Sequence, residues 1–487
     1  MTKDRSATKG NKIIKETSVV TVMVAIQFSD LMAYTEQYEG RVFTLLRELI
    51  SFPTVANREP AAIAECASYL ETIFQTYGYD ATQYPTGGSP VVYAEKNVGA
   101  PKTLMFYHHY DVQPEDPIDH WVSPPWQFTK REGRIFGRGA VDNKGHIVIS
   151  LIAIQMLEDQ IKLPVNVKFV VEGEEEAGSN NLPHFTKAHP SLLKADGCIW
   201  EGAGFYPEGE GETLTIPTPV EIWCGLKGNA YFDLKTGGPP KFPRTDVHSG
   251  SAAAVPNAAW RLVWALNTLK DEQENILLDG FNELVQPPLK EDIEALRNYQ
   301  GDLESFLKKN YNLEQLLLRR SGQDLYVPLF LEPSFSICGM KSGYQEAGSK
   351  TIVPAEASVK LDFRLVPDLT VNKVEELLKT HLKIRGFDDL EVNFITGYNP
   401  AKTSVNHPFI QMIRNATQNI IAPTPINVIP FAPGSGPAYL FTPYTPLAIV
   451  TSNVEGLNGH APNENIPINA IKPSLAYNAF IAQLIAD

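Results

Sequence analysis

Short apolar runs alternate with amphipathic helical segments over the first 200 residues, and this alternation restricts the possible folds more than any other feature of the chain. The compact apolar runs that predict buried strands are residues 103–107, 166–171 and 197–200. The segments with helical periodicity and capping signals are residues 36–51, 60–77 and 144–160. Strands that alternate with helices predict an α/β fold, in which helices flank a mixed, mainly parallel sheet. Ligands of such sheets bind at the carboxyl ends of the strands, so polar residues that follow these runs are candidates for function.

A second pattern begins near residue 217 and ends near residue 398. The elements predicted within it are strands at 221–228, 229–235 and 351–365 and helices at 254–269 and 371–382. Their order is typical of a small α+β sandwich. Beyond residue 398 a helix, an apolar run and a terminal helix restore the first pattern. We therefore predict a larger α/β domain formed by residues 1–217 and 399–487, with an α+β domain inserted over residues 218–398.

The length of the chain supports this division. A chain of 487 residues exceeds the size at which one hydrophobic core keeps growing, so two or more domains are expected. Residues 271–331 are helical and rich in charge, and we predict them to be helical padding near the inserted domain.

Charge and composition exclude several partners. The formal net charge of −14 opposes a nucleic acid, and no dense Lys/Arg stripe with interleaved aromatic residues counteracts it. The apolar stretch at residues 19–28 is too short to span a bilayer, so we predict a loose leader over residues 1–30 and no membrane partner. The four cysteines lie far apart and contain no CxxC pair, which favours reduced thiols and a cytoplasmic protein.

Two of the polar clusters contain His109 and Asp142. His109 ends an apolar run, and Asp111 is placed to accept the other imidazole N–H, as carboxylates do for metal-ligating histidines. Asp142 lies in the glycine-rich segment 137–145 just before a helix, where a lone carboxylate could bridge two cations. Taken alone, a surface His–Asp pair and a helix N-cap are the commoner structures for these two patterns.

Three further clusters follow apolar runs. Residues 172–179 contain adjacent glutamates, which suit either a solvated acidic loop or a metal ligand beside a general base. Glu201 ends another run, and His460 lies in the segment 458–464. Together the five clusters predict His, Asp and Glu side chains at strand ends of one sheet. Such a nitrogen and oxygen donor set suits zinc with open coordination positions.

These motifs resemble a family of di-zinc peptidases and deacylases that includes carnosinases, cytosolic dipeptidases, aminoacylase, acetylornithine deacetylase and succinyl-diaminopimelate desuccinylase. The segments that carry the resemblance, strongest to the carnosinase and dipeptidase branch, are 109–114, 137–145, 172–179 and 248–250. The resemblance implies a zinc-peptidase-like catalytic domain and two Zn²⁺ ions per subunit, with Mn²⁺ or Co²⁺ as alternatives. It further implies that His109 and Glu201 bind one ion, that Glu176 and His460 bind the other, and that Asp142 bridges them. Glu175 becomes the general base, and the Asp142–Asn143 peptide bond is expected to be cis.

The resemblance also gives roles to residues of the inserted domain, which is expected to act as a lid and to form a homodimer. His248 would reach the active site of the partner subunit and stabilise the oxyanion, although a buried structural histidine is the alternative. Arg364 would grip a substrate carboxylate with its planar fork. Thr351 and Ser435 would make further polar contacts with the substrate, although the segment around Ser435 departs from the usual Gly-Gly-Ser pattern.

The resulting hypothesis is a metal-dependent hydrolase that cleaves the amide bond of dipeptides or small peptides with a free C-terminal carboxylate. Glu201 is a glutamate, as in deacylases, where many dipeptidases have aspartate. An N-acyl amino acid deacylase is therefore an alternative, and a catalytically silent metal-binding protein is a less favoured one.

Overall fold

The computed structural model describes residues 26–204, 207, 219–452 and 457–486. The α-helices of these residues are α1 (Phe28–Tyr34), α2 (Glu39–Ser51), α3 (Pro60–Thr76), α4 (Lys144–Gln160), α5 (Leu182–Ala188), α6 (Ala258–Leu266), α7 (Lys290–Arg297), α8 (Leu303–Tyr311), α9 (Gly322–Leu331), α10 (Val371–Ile384), α11 (Pro408–Ile421) and α12 (Ile471–Leu484). The β-strands of the first half are β1 (Asp80–Tyr84), β2 (Val91–Lys96), β3 (Thr103–His109), β4 (Thr129–Arg131), β5 (Arg134–Phe136), β6 (Asn166–Glu172), β7 (Gly197–Ala203), β8 (Val220–Trp223), β9 (Gly225–Leu226) and β10 (Gly228–Gly237). Those that follow are β11 (Val247–His248), β12 (Ser334–Ser342), β13 (Ile352–Val353), β14 (Glu356–Leu365), β15 (Glu391–Tyr398), β16 (Ala401–Lys402), β17 (Ile426–Ile429), β18 (Leu447–Ser452) and β19 (Asn465–Pro467).

An eight-stranded mixed sheet, in the order β1-β2-β6-β3-β7-β18-β8-β17, forms the centre of the larger unit. Four neighbouring strands, β6, β3, β7 and β18, run parallel to one another, as the alternating pattern predicts. Helix α4 packs against this sheet and also against α2 and α12. Because α4 is covered on several sides, its sequence is apolar almost all round rather than along one stripe.

The second unit is an antiparallel sheet in the order β12-β14-β10-β15, and α6 and α10 pack against it. Its core is a separate cluster of buried apolar side chains, which includes Phe232, Phe363 and Leu378. Strand β8 is an exception to the predicted layout, since residues 221–223 lie in the eight-stranded sheet and not in the inserted unit. Strand β8 pairs with β17 and β18, and the chain enters the second sheet only at β10.

The segment at residues 271–331 packs against the larger unit as well. Leu296 of α7 and Phe330 of α9 form a buried cluster with Ile429 and Phe431, at and beyond the end of β17. Helices α7 and α9 thus cover the edge of the eight-stranded sheet, which protects an otherwise open strand. The prediction of padding near the lid did not include this contact.

The structure describes only the last residues of the predicted leader. Residues 1–25 lie outside the described residues, whereas Ile26 already donates its main-chain N–H to Gln483 and α1 packs against α12. Residues 26–30 are therefore part of the larger unit rather than of a loose leader. Within the part of the chain that the structure describes, no helix is both long and apolar enough to cross a membrane.

Candidate metal centre

The predicted ligands converge at the carboxyl edge of the eight-stranded sheet. Strands β6, β3, β7 and β18 are adjacent and parallel, so the segments after them emerge side by side. His109 ends β3, Glu176 follows β6, and Glu201 lies near the end of β7. Asp142 differs from the expectation, because it does not follow a strand of this sheet. It lies between β5, which belongs to a separate three-stranded sheet, and α4.

The two carboxylate oxygens of Asp142 each face a different histidine. His109 Nε2 lies 3.0 Å from Asp142 Oδ1, and His460 Nε2 lies 3.0 Å from Asp142 Oδ2. His109 is buried, whereas His460 is more than half exposed. A carboxylate whose two oxygens each face a different histidine could give one oxygen to each of two cations, with a histidine as a further ligand of each.

Glu176 joins the same group. Its Oε2 lies 3.2 Å from His460 Nε2 and accepts a hydrogen bond of 2.8 Å from Gln113. Its Oε1 is buried and has no hydrogen-bond partner in the structure. Asp142, Glu176 and His460 each offer one ligand atom, and these atoms lie within 4.8 Å of one another. A buried carboxylate oxygen without a donor fits a cation site, since such an oxygen is costly unless something positive binds it.

Glu201 is held beside this group by its main chain. Asn143 Nδ2 donates to the carbonyl of Glu201 at 2.9 Å, and Glu201 has a positive φ of 55°. The pKa of the Glu201 carboxyl is raised to about 7, chiefly by burial and also by the charges of Asp142 and Glu176, although the His109 imidazole lowers it. The peptide bond between Asp142 and Asn143 is cis, as the resemblance implies.

Asp111 positions both a ligand and the predicted base. The nearest acceptor to His109 Nδ1 is the main-chain carbonyl of Asp111, at 3.1 Å, whereas the Asp111 carboxylate is 3.6 Å away. The carboxylate instead accepts the main-chain N–H groups of Glu175 and Glu176, at 3.1 and 2.9 Å. Asp111 thus fixes the turn that carries the two glutamates. Burial raises the pKa of the Glu175 carboxyl well above its usual range, which favours a group that can both accept and release a proton.

The predicted substrate residues Arg364 and Ser435 lie next to each other and close to Glu175. Arg364 Nη1 donates to Ser435 Oγ at 3.0 Å, and its Nε donates to Asp362 at 2.8 Å. A Cβ atom built on the neighbouring residue, Gly436, would lie 3.5 Å from Glu175 Oε1. The guanidinium of the inserted unit and the predicted base therefore approach the same short loop of the larger unit.

His248 and Thr351 occupy a different part of the structure. His248 ends β11 and Thr351 precedes β13, so the two are neighbours, with His248 Nε2 3.5 Å from Thr351 Oγ1, and both are exposed. Among the contacts of the described residues, none joins either of them to the five candidate ligands. The structure thus brings together all the other predicted site residues and leaves these two apart.

Three residues that the sequence reasoning did not single out contact the site. Gln113 binds Glu176, and Tyr398 donates its hydroxyl to the Glu175 carbonyl at 3.3 Å. Glu464 is buried and accepts hydrogen bonds from the loop that carries Asp142. Gln113 and Glu464 lie inside motifs that the sequence made conspicuous. Their side-chain partners depend on tertiary contacts that spacing alone does not reveal.

Comparison with known proteins agrees with this geometry. The family profile described as "Peptidase family M20/M25/M40" matches residues 105–483 of the chain. A Beta-Ala-His dipeptidase of Rattus norvegicus is 31% identical over 355 residues, which are 70% of each chain. A cysteinylglycine-S-conjugate dipeptidase of Corynebacterium striatum is 26% identical over 404 residues, which are 80% of this chain and 82% of that protein.

A solved structure is similar over nearly the whole chain. The M20 family metallo-carboxypeptidase Sso-CP2 from Sulfolobus solfataricus has a TM-score of 0.81 and 35% identity, over 91% of this chain and 99% of that one. The family resemblance and the α/β architecture predicted from the sequence are thus confirmed. The chain belongs to peptidase family M20/M25/M40 and is a metallopeptidase.

Proposed function

We propose that this metallopeptidase hydrolyses dipeptides or small peptides that have a free C-terminal carboxylate, with two divalent cations, zinc by preference. The observation that carries the proposal is the position of Asp142, whose two oxygens each lie 3.0 Å from a different histidine. His109 and Glu201 would bind one ion, and Glu176 and His460 the other. The ions, when bound, would supply the Lewis acidity that polarises the peptide carbonyl.

Glu175 would take a proton from the attacking water and deliver it to the leaving amine. Its carboxyl lies beside the ligand group, and burial raises its pKa, which suits a group that first accepts a proton and later releases it. The Asp111 carboxylate holds the main chain of the glutamate turn, which keeps base and ligand in register. This division of work between adjacent glutamates follows from their different contacts.

Arg364 would hold the substrate carboxylate, and Ser435 would hold the guanidinium. Arg364 is part-buried, and its bonds to Asp362 and Ser435 fix the plane of the guanidinium while leaving N–H groups free to bind an anion. A position for this anchor near the base is supported by Gly436, the neighbour of Ser435, since a Cβ atom built there would lie 3.5 Å from Glu175 Oε1. Such an anchor would select peptides with a free carboxyl terminus and would orient their last amide bond.

The proposed reaction is tested by comparing the rates at which protein of known metal content hydrolyses different classes of substrate. Purified protein is dialysed against a chelator, loaded with Zn²⁺, and assayed on a dipeptide panel, on C-terminally amidated dipeptides and on N-acetyl amino acids. We expect hydrolysis of free dipeptides only after metal is restored. Faster hydrolysis of N-acetyl amino acids than of every dipeptide, or full activity after chelation, would overturn the proposal.

We also propose that the active enzyme is a homodimer in which His248 and Thr351 contribute to the site of the partner subunit. Strand β12 is at the edge of its sheet, and Ile337 and Met340 on it are each about half exposed. Trp260 and Trp264 lie on helix α6, and their exposed rings stack against each other with centroids 6.1 Å apart. Exposed apolar side chains beside an open strand edge suit contact with a second copy of the same surface.

Mixed dimers test this arrangement. A His248→Ala subunit and a Glu175→Gln subunit should each be inactive alone. In a mixed dimer, one site would combine the intact base of the first subunit with the intact histidine of the second. Random mixing should then restore about a quarter of the wild-type activity, since half of the dimers are mixed and each has one complete site. No recovery, or full activity of a monomer, would contradict the shared site.

The compartment is part of the same proposal. All four cysteines are free, and three of them, Cys66, Cys198 and Cys224, are buried. Burial raises the pKa of the Cys66 thiol to about 11, so this side chain stays an uncharged core group. Free thiols suit the reducing cytoplasm, which we propose as the location.

A further inference from the structure

A buried carboxylate outside the ligand set connects the two loops that carry Asp142 and His460. Glu464 is 1% exposed and lies four residues after His460, just before β19. Strand β19 pairs with β5, so Glu464 lies opposite the start of the glycine-rich loop, and its carbonyl accepts the N–H of Gly137 at 3.1 Å. The position of Glu464 in the fold therefore follows from a short strand pairing.

Both carboxylate oxygens of Glu464 are used within the loop that carries Asp142. Oε1 accepts the main-chain N–H groups of Val141 and Asp142, each at 3.0 Å. Oε2 accepts the N–H of Gly139 at 2.9 Å and a bond of 3.0 Å from Arg138 Nη1. Three main-chain N–H groups directed at one anion form a cradle of the kind that main-chain turns offer to anions.

The backbone of this loop suits the cradle. Gly139 has φ +84°, and a Cβ atom there would lie 2.8 Å from Lys144 Cδ and 3.0 Å from Val112 Cγ1. Glycine is therefore needed at this position both for its backbone conformation and for space. The loop is shaped so that its N–H groups face Glu464 rather than solvent.

Arg138 extends the connection beyond Glu464. Its guanidinium is buried, and it donates to the carbonyls of Ala461, next to His460, and of Pro114, at 3.3 and 2.8 Å. The pair thus ties together three segments, two of which carry candidate ligands and one of which follows the His109 strand. The ion pair between Arg138 and Glu464 is buried, so breaking it would leave an unpaired charge in the interior, which opposes separation of these segments.

We propose that Glu464 is a positioning residue for the metal centre, which fixes the distance between the His460 imidazole and the Asp142 carboxylate before any ion binds. It binds the amide of Asp142 itself and lies on the same short loop as His460. Its removal would let the two ligand loops separate without changing any ligand. The inference rests on the proposed ligand set, and its test separates the two.

The test measures zinc binding rather than activity. The dissociation constant of Zn²⁺ is determined by competition with a chromophoric chelator for wild type, Glu464→Gln and His460→Ala. Glutamine has one acceptor oxygen, and its NH₂ group would face N–H donors, so at least the bonds to one oxygen are lost. We expect the zinc affinity of Glu464→Gln to fall about 10- to 100-fold, which is usual for residues that orient ligands.

Asp292→Asn is the matched control. Asp292 is also a buried carboxylate with a basic partner, Lys402, but it lies on α7 and pairs outside the ligand group. Its zinc affinity should equal that of wild type, even where its thermal stability falls. A general loss of stability would instead lower zinc affinity in both variants, and that result would overturn the specific role of Glu464.

The remaining outcomes are distinct. If Glu464→Gln binds zinc as wild type does while His460→Ala does not, the positioning role is wrong and the metal centre stands. If His460→Ala binds zinc as tightly as wild type, the proposed metal centre fails, and the role of Glu464 fails with it.

A measurement on the unmodified protein covers the case in which Glu464→Gln does not fold. In metal-free wild type, the amides of Gly139, Val141 and Asp142 should exchange hydrogen far more slowly than exposed loop amides. Exchange at the rate of exposed loops in an otherwise folded protein would show that the loop is not held, and would overturn the proposal.

Discussion

Replacing Glu175 with glutamine is the sharpest test of the proposed chemistry, because the substitution should change proton transfer and little else. The hydrogen bonds that the structure gives to this residue use its main chain, whose N–H binds Asp111 and whose carbonyl accepts from Tyr398 and Gly178. Glutamine has the same size and retains all of them. Burial raises the pKa of the Glu175 carboxyl, so the neutral amide also avoids the cost of a buried charge.

The expected magnitude follows from these contacts. General acid–base catalysis typically contributes about 100- to 10,000-fold, or roughly 2.7 to 5.5 kcal/mol at 1.36 kcal/mol per factor of ten. We expect the upper end, since Glu172, a buried acid at the end of β6, is already bound by Tyr107 and Ser179 and is not free to replace the base. The free energy of unfolding should change by less than about 1 kcal/mol, because no hydrogen bond of the structure is lost.

The assay combines kcat and KM on a dipeptide with zinc content and thermal unfolding of the same sample. The zinc content and KM should match wild type while kcat falls. Glu174→Gln is the control, because Glu174 is the preceding acid and its carboxylate instead binds the N–H of Ser89 and the amide of Asn181. This control should lose stability and keep kcat within about tenfold of wild type. A Glu175→Gln protein that contains zinc and turns over within tenfold of wild type would refute the assignment of the base.

Three further predictions concern other contacts. Arg364→Lys should raise KM for free dipeptides about tenfold or more, because lysine lacks the planar fork, and an unchanged KM in steady-state assays would exclude the carboxylate anchor. Tyr398→Phe should lower kcat about two- to tenfold with zinc content unchanged, since two long hydroxyl bonds are lost, one to the Glu175 carbonyl and one to Ser179 Oγ. Equal kcat values would exclude any such support. Burial lowers the pKa of Lys227 to about 7. Between that pH and about 10.5 the Lys227 amine is protonated in the unfolded state but neutral in the folded state, so the free energy of unfolding rises with pH across this window. Relative to Lys227→Met, the free energy of unfolding of wild type should rise by roughly 1.4 kcal/mol per pH unit in this window. Urea unfolding at pH 7, 8 and 9 measures it, and a constant difference between the two proteins would contradict the prediction.

Local periodicity predicted the elements that form the site with good accuracy. The helix predicted over 144–160 is α4, Lys144–Gln160, and the strands predicted at 103–107 and 166–171 are β3 and β6, which extend by one or two residues. These elements are determined by their own sequence, because apolar side chains recur at the period of the element. The parallel arrangement of their carboxyl ends then brings His109, Glu176 and Glu201 to one edge.

Features that depend on contacts distant in sequence could not be predicted. Residues 221–223 alternate as a strand of either sheet would, and only their pairing with β17 and β18 assigns them to the larger unit. Asp142 appeared to end a strand of the main sheet, whereas its place depends on the pairing of β5 with β19, more than 300 residues along the chain. His248 is exposed, and its proposed role requires a surface that one chain does not contain.

The acids of this site also illustrate why residue type alone could not separate ligands from supports. Asp111 and Glu464 are buried carboxylates beside the candidate ligands, but both oxygens of each already accept N–H groups. Glu176 differs, because Oε1 is buried without a donor, and this oxygen remains available to a cation. A carboxylate satisfied by main-chain amides fixes geometry, and one left unsatisfied in the same low-dielectric space attracts a metal ion. The order of acids along the chain does not reveal this distinction, since the donors come from loops that only the fold brings together.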